Sequence, residues 1–597
     1  MPVSSRDIES EHGSLFAQQS VLPRLPVPDL QKTLAKYCES LAPLLPADRL
    51  AHSKRVIQEF GESALGLELQ QRLEARASDP SCANWLEEWW NDLSYMRYRD
   101  PVIPYVSYHY SFNDDPLCLR PNQRAAKLIA GAMAFRQAIV DGSLLPETTK
   151  SGALCSHSYN FMFNACRIPQ KPSDVCRTVS YAGNDTVVVM RNAQFFTIRL
   201  VQGGIPLSQP EIERVLDRIV AHADANAAVP VGLLTADNRD SWAENRRCLI
   251  DAGNAAALDA IESSAFAIAL EKTRPVTREE FSHAIWHGDG RSRWFDKPCQ
   301  FVVCDNARAG FCGEHSMMDG TPTLRLVQYV IEHSPPSLLP STEPASVRDC
   351  AFEQLCFHTP PALVAAVKAA ERLFIEGTEK QHVAVLNYAA YGKDEIKRLG
   401  CSPDAYIQLA LQLAYTRLHG CARPTYESSM TRKFLHGRTE TCRSVTRDSV
   451  AWCRAMMAQP TPSNEECVRL FQAALATHTR LVREAVEGQG VDRHLLGLRM
   501  LVRPEEAKPE IFNDPAYAYS SHWYLSTSQV SSENFTSYGW SEVSPKGYGI
   551  AYNIRKECLI IHIACMRNEH ALNSDHLAHY FETALNDVRS MLLQRRD

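Results

Sequence analysis

The sequence predicts a mixed α/β protein of two similar-sized domains, each with a mixed sheet, preceded by N-terminal helices. Three observations lead there. At 597 residues the chain is too long for a single hydrophobic core. With 45% hydrophobic and 22% charged residues it reads as an ordinary globular protein. And two series of alternating strand-like and helix-like segments flank a Pro- and Ser-rich stretch, Ser334–Ser346. The expected division is a loose tail at 1–20, a first domain at 21–359 and a second at 360–597.

In chain order, the segment Leu22–Pro28 is extended, with prolines at 23, 26 and 28. Leu30, Leu34, Tyr37 and Leu41 then recur at helical spacing, and Pro46 opens a second helix carrying Val56, Ile57 and Phe60. A third helix ends near Ala77, and the cluster Trp85–Tyr95 reads as a helix packing its tryptophans into a core. Helices are expected over Asn122–Asp141, Gln209–Ala228, Arg239–Ala252 and Asn254–Leu270, with strands at Thr186–Met190, Gln194–Ile198 and Phe301–Cys304. The second series has strands at His382–Leu386, Gly549–Ile554 and Leu559–Ala564. Its helices span Pro403–His419 and Glu465–Glu487, and a last one is capped by Ser574.

The formal net charge of -6 and a pI of about 6.4 argue against nucleic acid as the main partner. No apolar run approaches the roughly 18–20 residues of a membrane span. The acidic N-terminus is neither a secretory signal nor a typical presequence, and the C-terminus is not a peroxisomal tripeptide. Nineteen cysteines without a CxxC pair suggest reduced thiols rather than a zinc or disulfide framework. A cytoplasmic enzyme is expected, mitochondrial and peroxisomal placements staying open. A monomer is the default.

Five stretches carry candidate chemistry. His315 lies between the strand-like Phe301–Cys304 and the helix-like Leu324–Val330, in a segment bracketed by Gly310, Gly313, Gly320 and Pro322. Such a histidine is either a general base on a functional loop or a structural residue at a turn. Lys393 and Lys397, four apart, suit a phosphate or form a solvated turn. Pro424–Ser429, leading to His436–Thr441, is dense in hydroxyls that with an Arg can hold a carboxylate or the amides of an extended ligand. Arg493 opens an apolar segment, so its partner is Asp492, another protein acid or a ligand carboxylate. In Leu525–Gln529, Ser526 and Ser528 share a strand face opposite Thr527 and can donate to an oxyanion, or simply fill a surface strand.

Together these motifs, in this order and with Leu22–Pro28 before them, resemble the carnitine/choline acyltransferases over nearly the whole chain. The resemblance is closest to the family's acetyl-transferring, cytosolic-type members. It implies two chloramphenicol-acetyltransferase-like domains with an active-site tunnel at their interface. It further implies His315 as the catalytic base and Ser528 as the oxyanion donor. Lys393, Lys397, Asp404, Glu427 and Ser428 fall at CoA-contacting positions. Tyr426, Thr439, Arg493, Ser526, Trp90, Tyr95 and Tyr538 fall at carnitine-pocket positions, and Asp319 supports the histidine loop. CoA is then a co-substrate, no cofactor is tightly bound, and the other partner is the small molecule L-carnitine.

The chemistry agrees. Acyl exchange between a thioester and an alcohol needs one group that takes a proton and returns it, and a histidine near its unperturbed pKa of about 6.5 does both. Cys312 is a weak candidate nucleophile, because direct attack in a ternary complex needs none. A metal site at Glu314, His315 and Asp319 lacks a third convincing ligand. Near Phe535–Tyr538, where the family sets acyl length, Thr536 is of intermediate size and favours acetyl. The rival reactions are use of a longer acyl-CoA, or transfer from a carrier protein's phosphopantetheine to carnitine or another alcohol. A non-catalytic acyl-CoA sensor is the rival of another class.

Overall fold

A computed structural model of the chain describes residues 13–333, 350–460, 462–568, 570 and 572–594. The expected linker Ser334–Ser346 and the first twelve residues of the expected tail lie outside this set. The described residues form two compact units, neither of them a continuous stretch. One gathers 13–20, Trp90–Gln381 and Asn534–Ser541; the other gathers Val21–Trp89, His382–Glu533 and Glu542 onward. The expected boundary at 359/360 assumes continuous domains. The structure differs because Phe535–Gly539 pairs antiparallel with Tyr108–Phe112, and the helices before Trp89 belong with the later residues. Residues 13–20 are not loose: Leu15 and Phe16 are buried, and the Cys155 thiol donates to Gln19 at 3.0 Å.

The first unit is built on an eight-stranded mixed sheet. Its order is Glu353–Leu355, Gln194–Arg199, Thr186–Arg191, Ala267–Glu271, Cys299–Cys304, Ala309–Gly313, Tyr108–Phe112, Phe535–Gly539. Ala267–Glu271 runs parallel to both neighbours; the other adjacent pairs are antiparallel. This central strand corrects the helix expected over Asn254–Leu270, which stops at Ser263. All five residues of the strand are buried, and such a continuous apolar run has no period that separates strand from helix. Pro121–Val140 and Gly320–His333 form helices near their expected places.

The second unit holds a six-stranded sheet in the order Gln381–Tyr388, Leu559–Met566, Tyr548–Ile554, Leu525–Gln529, Thr425–Met430, Thr439–Arg443. Leu525–Gln529 lies parallel to both neighbours. The helices Pro403–His419 and Ser574–Leu593 pack into its core, where Tyr406, Leu409, Phe581 and Leu585 meet Ile561 and Ile563. The last helix is capped by Asn573 rather than Ser574, whose hydroxyl donates to the His382 carbonyl at 2.8 Å. The tryptophan cluster is a short helix, Glu87–Asn91, continued by a wider turn over Asp92–Met96. Trp85 is buried there, but Trp89 and Trp90 stay half-exposed.

Candidate active site

His315 sits two residues beyond the strand Ala309–Gly313, on the loop that leads into the helix Gly320–His333. Its Nδ1 lies 2.8 Å from the Met318 carbonyl. A carbonyl only accepts, so in the neutral ring Nδ1 carries the proton and Nε2 keeps a lone pair. An Asp319 carboxylate oxygen lies 3.6 Å from the same Nδ1. Tyr95 packs 5.2 Å from the imidazole and Tyr108 packs 5.1 Å from it, centroid to centroid. Gly313 makes the second contact attainable, because a Cβ there would come within 2.6 Å of the Tyr108 ring. Trp90 meets Tyr95 edge-on at 6.2 Å. Tyr538, on the edge strand, lies opposite Tyr110.

Cys312 is no nucleophile in this arrangement. It is buried, its thiol donates to the Trp286 carbonyl, and burial pushes its pKa up to about 12. Glu314 is engaged by Arg167 and Ser316.

In the second unit, Arg493 is buried in the first turn of the helix Asp492–Met500. Its Nε donates to the Thr439 carbonyl at 3.0 Å. Its Nη2 lies 3.4 Å from the Thr439 hydroxyl and 3.5 Å from the Tyr426 hydroxyl. These three residues, distant in sequence, converge. Asp492 forms a two-point ion pair with Arg443 at 2.8 and 2.9 Å. Burial raises the Glu440 carboxyl to about 7 despite Arg493 beside it.

Register explains the serine pair. Ser526 lies opposite Tyr426 on one side and Gly549 on the other, and Ser528 lies opposite Ala551. Thr527 points the other way, donating to the Tyr426 carbonyl and accepting from Gln408, both at 2.8 Å. Thr527 is thus tied to the scaffold, and the Ser526 and Ser528 hydroxyls make no hydrogen bond among the described residues.

Lys393 and Lys397 share the one helical turn Lys393–Arg398. Backbone bonds from Lys393 and Asp394 to the carbonyls of Arg555 and Lys556 anchor it. Gly392 permits that approach, as a Cβ would lie 2.5 Å from the Arg555 oxygen. Among the described residues neither ammonium has a carboxylate partner. Asp404 opens the helix Pro403–His419 and accepts from the Tyr552 hydroxyl at 2.7 Å. Glu427 is buried on the strand Thr425–Met430, and Ser428 follows on its other, half-exposed face.

Between Asp404 and Glu427 stands His478, which sequence reasoning missed. Its Nε2 is 3.0 Å from Glu427 and 3.9 Å from Asp404. Burial opposes its charge, but the two carboxylates outweigh that and raise its pKa to about 10. A signal existed: Cys467, Phe471, Ala474 and His478 form one buried helical stripe, so the histidine occupies a core position. Tyr108 was also missed, having no local pattern that would place it beside His315.

The sequence profile described as Choline/Carnitine o-acyltransferase matches residues 25–583. The chain belongs to this family. It is 36% identical to the mitochondrial carnitine O-acetyltransferase of Saccharomyces cerevisiae, over 96% of this chain and 88% of that protein. It is 34% identical to human carnitine O-acetyltransferase, over 96% and 94% of the two chains. To the choline O-acetyltransferase of Danio rerio it is 31% identical, over 99% and 95%. As a family member the protein is an acyltransferase. These identities lie close together, so the choice of acceptor rests on individual residues. No helix among the described residues is long and apolar enough to cross a membrane.

Proposed function

We propose that this protein transfers an acetyl group reversibly between CoA and the hydroxyl of L-carnitine. The observation that carries the reading is the convergence of Arg493, Tyr426 and Thr439, a guanidinium with two hydroxyls beside it. Such a set suits a carboxylate, which carnitine has and choline lacks. In the mechanism, His315 Nε2 takes the carnitine hydroxyl proton, the alkoxide attacks the thioester carbonyl, and the same nitrogen returns the proton to the departing sulfur. Ser528 donates to the developing oxyanion, a contribution worth about 3 kcal/mol or about a hundredfold in rate. Ser526, Trp90, Tyr95 and Tyr538 complete the carnitine pocket. Lys393 and Lys397 meet the 3′-phosphate of CoA, while Asp404, Glu427 and Ser428 contact the rest of it. The lysine pair favours free CoA over a carrier-bound arm, which lacks that phosphate. Nineteen cysteines, all free, favour a reducing compartment, and we retain the cytosol and a monomer.

The test is thiol release from acetyl-CoA, followed with a thiol-reactive dye after the protein's own cysteines have reacted to a plateau. Release that depends on L-carnitine and not on choline is expected. Release with choline alone, or with neither, would refute the reading.

A further inference from the structure

The loop that carries His315 is tied to a buried ion network in the first unit. Arg167, on the strand Ala165–Ile168, is 1% exposed. Its Nη1 donates to a Glu314 carboxylate oxygen at 3.0 Å, its Nη2 to the Tyr95 carbonyl at 2.7 Å, and its Nε to Asp174 at 2.7 Å. Glu314 precedes His315. Its carboxylate also accepts from the Ser316 hydroxyl at 2.6 Å and from the Ser316 backbone N–H at 3.2 Å. One chain neighbour of the histidine, Ser316, is therefore pinned to the other, Glu314, and that acid to one guanidinium.

Behind Arg167 the network closes on itself. Asp174 also accepts from Arg239 at 2.7 Å and from Arg99 at 3.1 Å, and its backbone N–H donates to the Met96 carbonyl. Arg239 pairs with Asp296 at 2.8 Å, and Asp296 accepts from the Trp242 indole N–H at 2.7 Å. Arg167 and Arg239 thus face the three carboxylates Glu314, Asp174 and Asp296, and all five of these residues are buried. A buried ion network is costly to assemble, and an apolar core of equal volume is commonly as stable. Its distinctive property is geometric. A guanidinium is planar and presents fixed N–H directions, so one group sets several distances at once.

We propose that Arg167, acting through Glu314 and the Tyr95 backbone, is the positioning residue that sets the His315 imidazole against the Tyr95 ring. One arm fixes the residue before the base. The other fixes the residue whose ring lies 5.2 Å from the base. Arg167 touches no reacting atom in this scheme. The proposal rests on His315 being the base of the acyl transfer, and it predicts a kinetic signature that a purely structural role would not produce.

The test compares wild type with Glu314→Gln, Arg167→Lys and Ser316→Ala. Glu314→Gln keeps size but removes the charge and turns one acceptor oxygen into an N–H donor; Arg167→Lys keeps the charge and removes the fork. In folded Glu314→Gln and Arg167→Lys, kcat should fall about tenfold to a hundredfold, as expected for a small misplacement of a catalytic group. The KM for acetyl-CoA should stay within about twofold, since the acyl-CoA contacts are elsewhere. Equal kcat in both folded variants and wild type would overturn the proposal.

A second readout needs no turnover. Carbethoxylation of His315 by diethylpyrocarbonate, followed by peptide mass spectrometry against the exposed His52 as internal reference, should change in rate in the same variants. If wild type shows no carnitine-dependent release, the functional reading fails, and the modification rates still decide the positioning role. Should Glu314→Gln and Arg167→Lys both fail to fold, Ser316→Ala, which removes one hydroxyl, carries the same two readouts. An unchanged kcat and modification rate there would overturn the proposal.

Discussion

Replacing Arg493 by Asn is the sharpest test of the acceptor. The guanidinium is 6% exposed and held by its Nε bond to the Thr439 carbonyl, with Nη2 at 3.4–3.5 Å from two hydroxyls. What is lost is a charge-assisted bond to the carnitine carboxylate, worth about 1.5–3 kcal/mol. At about 1.4 kcal/mol per factor of ten, the carnitine KM should rise roughly tenfold to 150-fold. The KM for acetyl-CoA should stay within about twofold, because Arg493 acts on the other substrate. The assay is thiol release at saturating acetyl-CoA with carnitine varied, and a parallel series with choline. Choline has no carboxylate to lose, so whatever weak activity it supports should not fall. A carnitine KM within about threefold of wild type, in a variant that melts like wild type, would refute the carboxylate-clamp reasoning.

Three further outcomes are expected. His315→Ala should lower kcat by about 10²–10⁴-fold without changing the melting temperature, as measured by thiol release and calorimetry; retained turnover would sink the mechanism. Lys393→Ala should raise the KM for acetyl-CoA and leave that for its 3′-dephospho analogue unchanged, and an equal effect on both would place the phosphate elsewhere. The third concerns His478. Its folded pKa of about 10 exceeds the ordinary 6.5, so the stability contributed by its charge is lost as pH rises through about 10, while Glu427, raised by burial to about 7, is itself charged only above that. The melting-temperature gap between wild type and His478→Gln should therefore narrow from pH 7 to pH 10.5. A gap independent of pH would mean that the ring is neutral throughout.

Much of the site was legible because its motifs are short and local. His315 does fall on a short loop, although Gly310 and Gly313 belong to the strand before it and Gly320 opens the helix after it, and a four-residue spacing puts Lys393 and Lys397 on one turn. Alternation along Leu525–Gln529 separated Ser526 and Ser528 from Thr527, as the hydrogen bonds of Thr527 show. The structure replaced the expected helix at Ala267–Glu271 with a strand, and continuous boundaries with discontinuous units. In each case the deciding contact lies far away in sequence. Ala267 pairs with Val188 and Gln300, and Phe535 pairs with Phe112.

The sequence alone thus determined the chemistry available to this protein: a loop histidine, a cation pair and hydroxyl-rich strands, each carried by a few adjacent residues. Only the tertiary structure decided which of these groups are held, and by what. Arg493 reaches Tyr426 and Thr439 across segments more than fifty residues apart; Arg167 reaches Glu314 across 147. Two carboxylates from other elements meet His478 in a buried site and raise its pKa. Composition and periodicity act along the chain. Strand register and the burial of charge act across it, and they fix the direction of a guanidinium or the proton on a histidine.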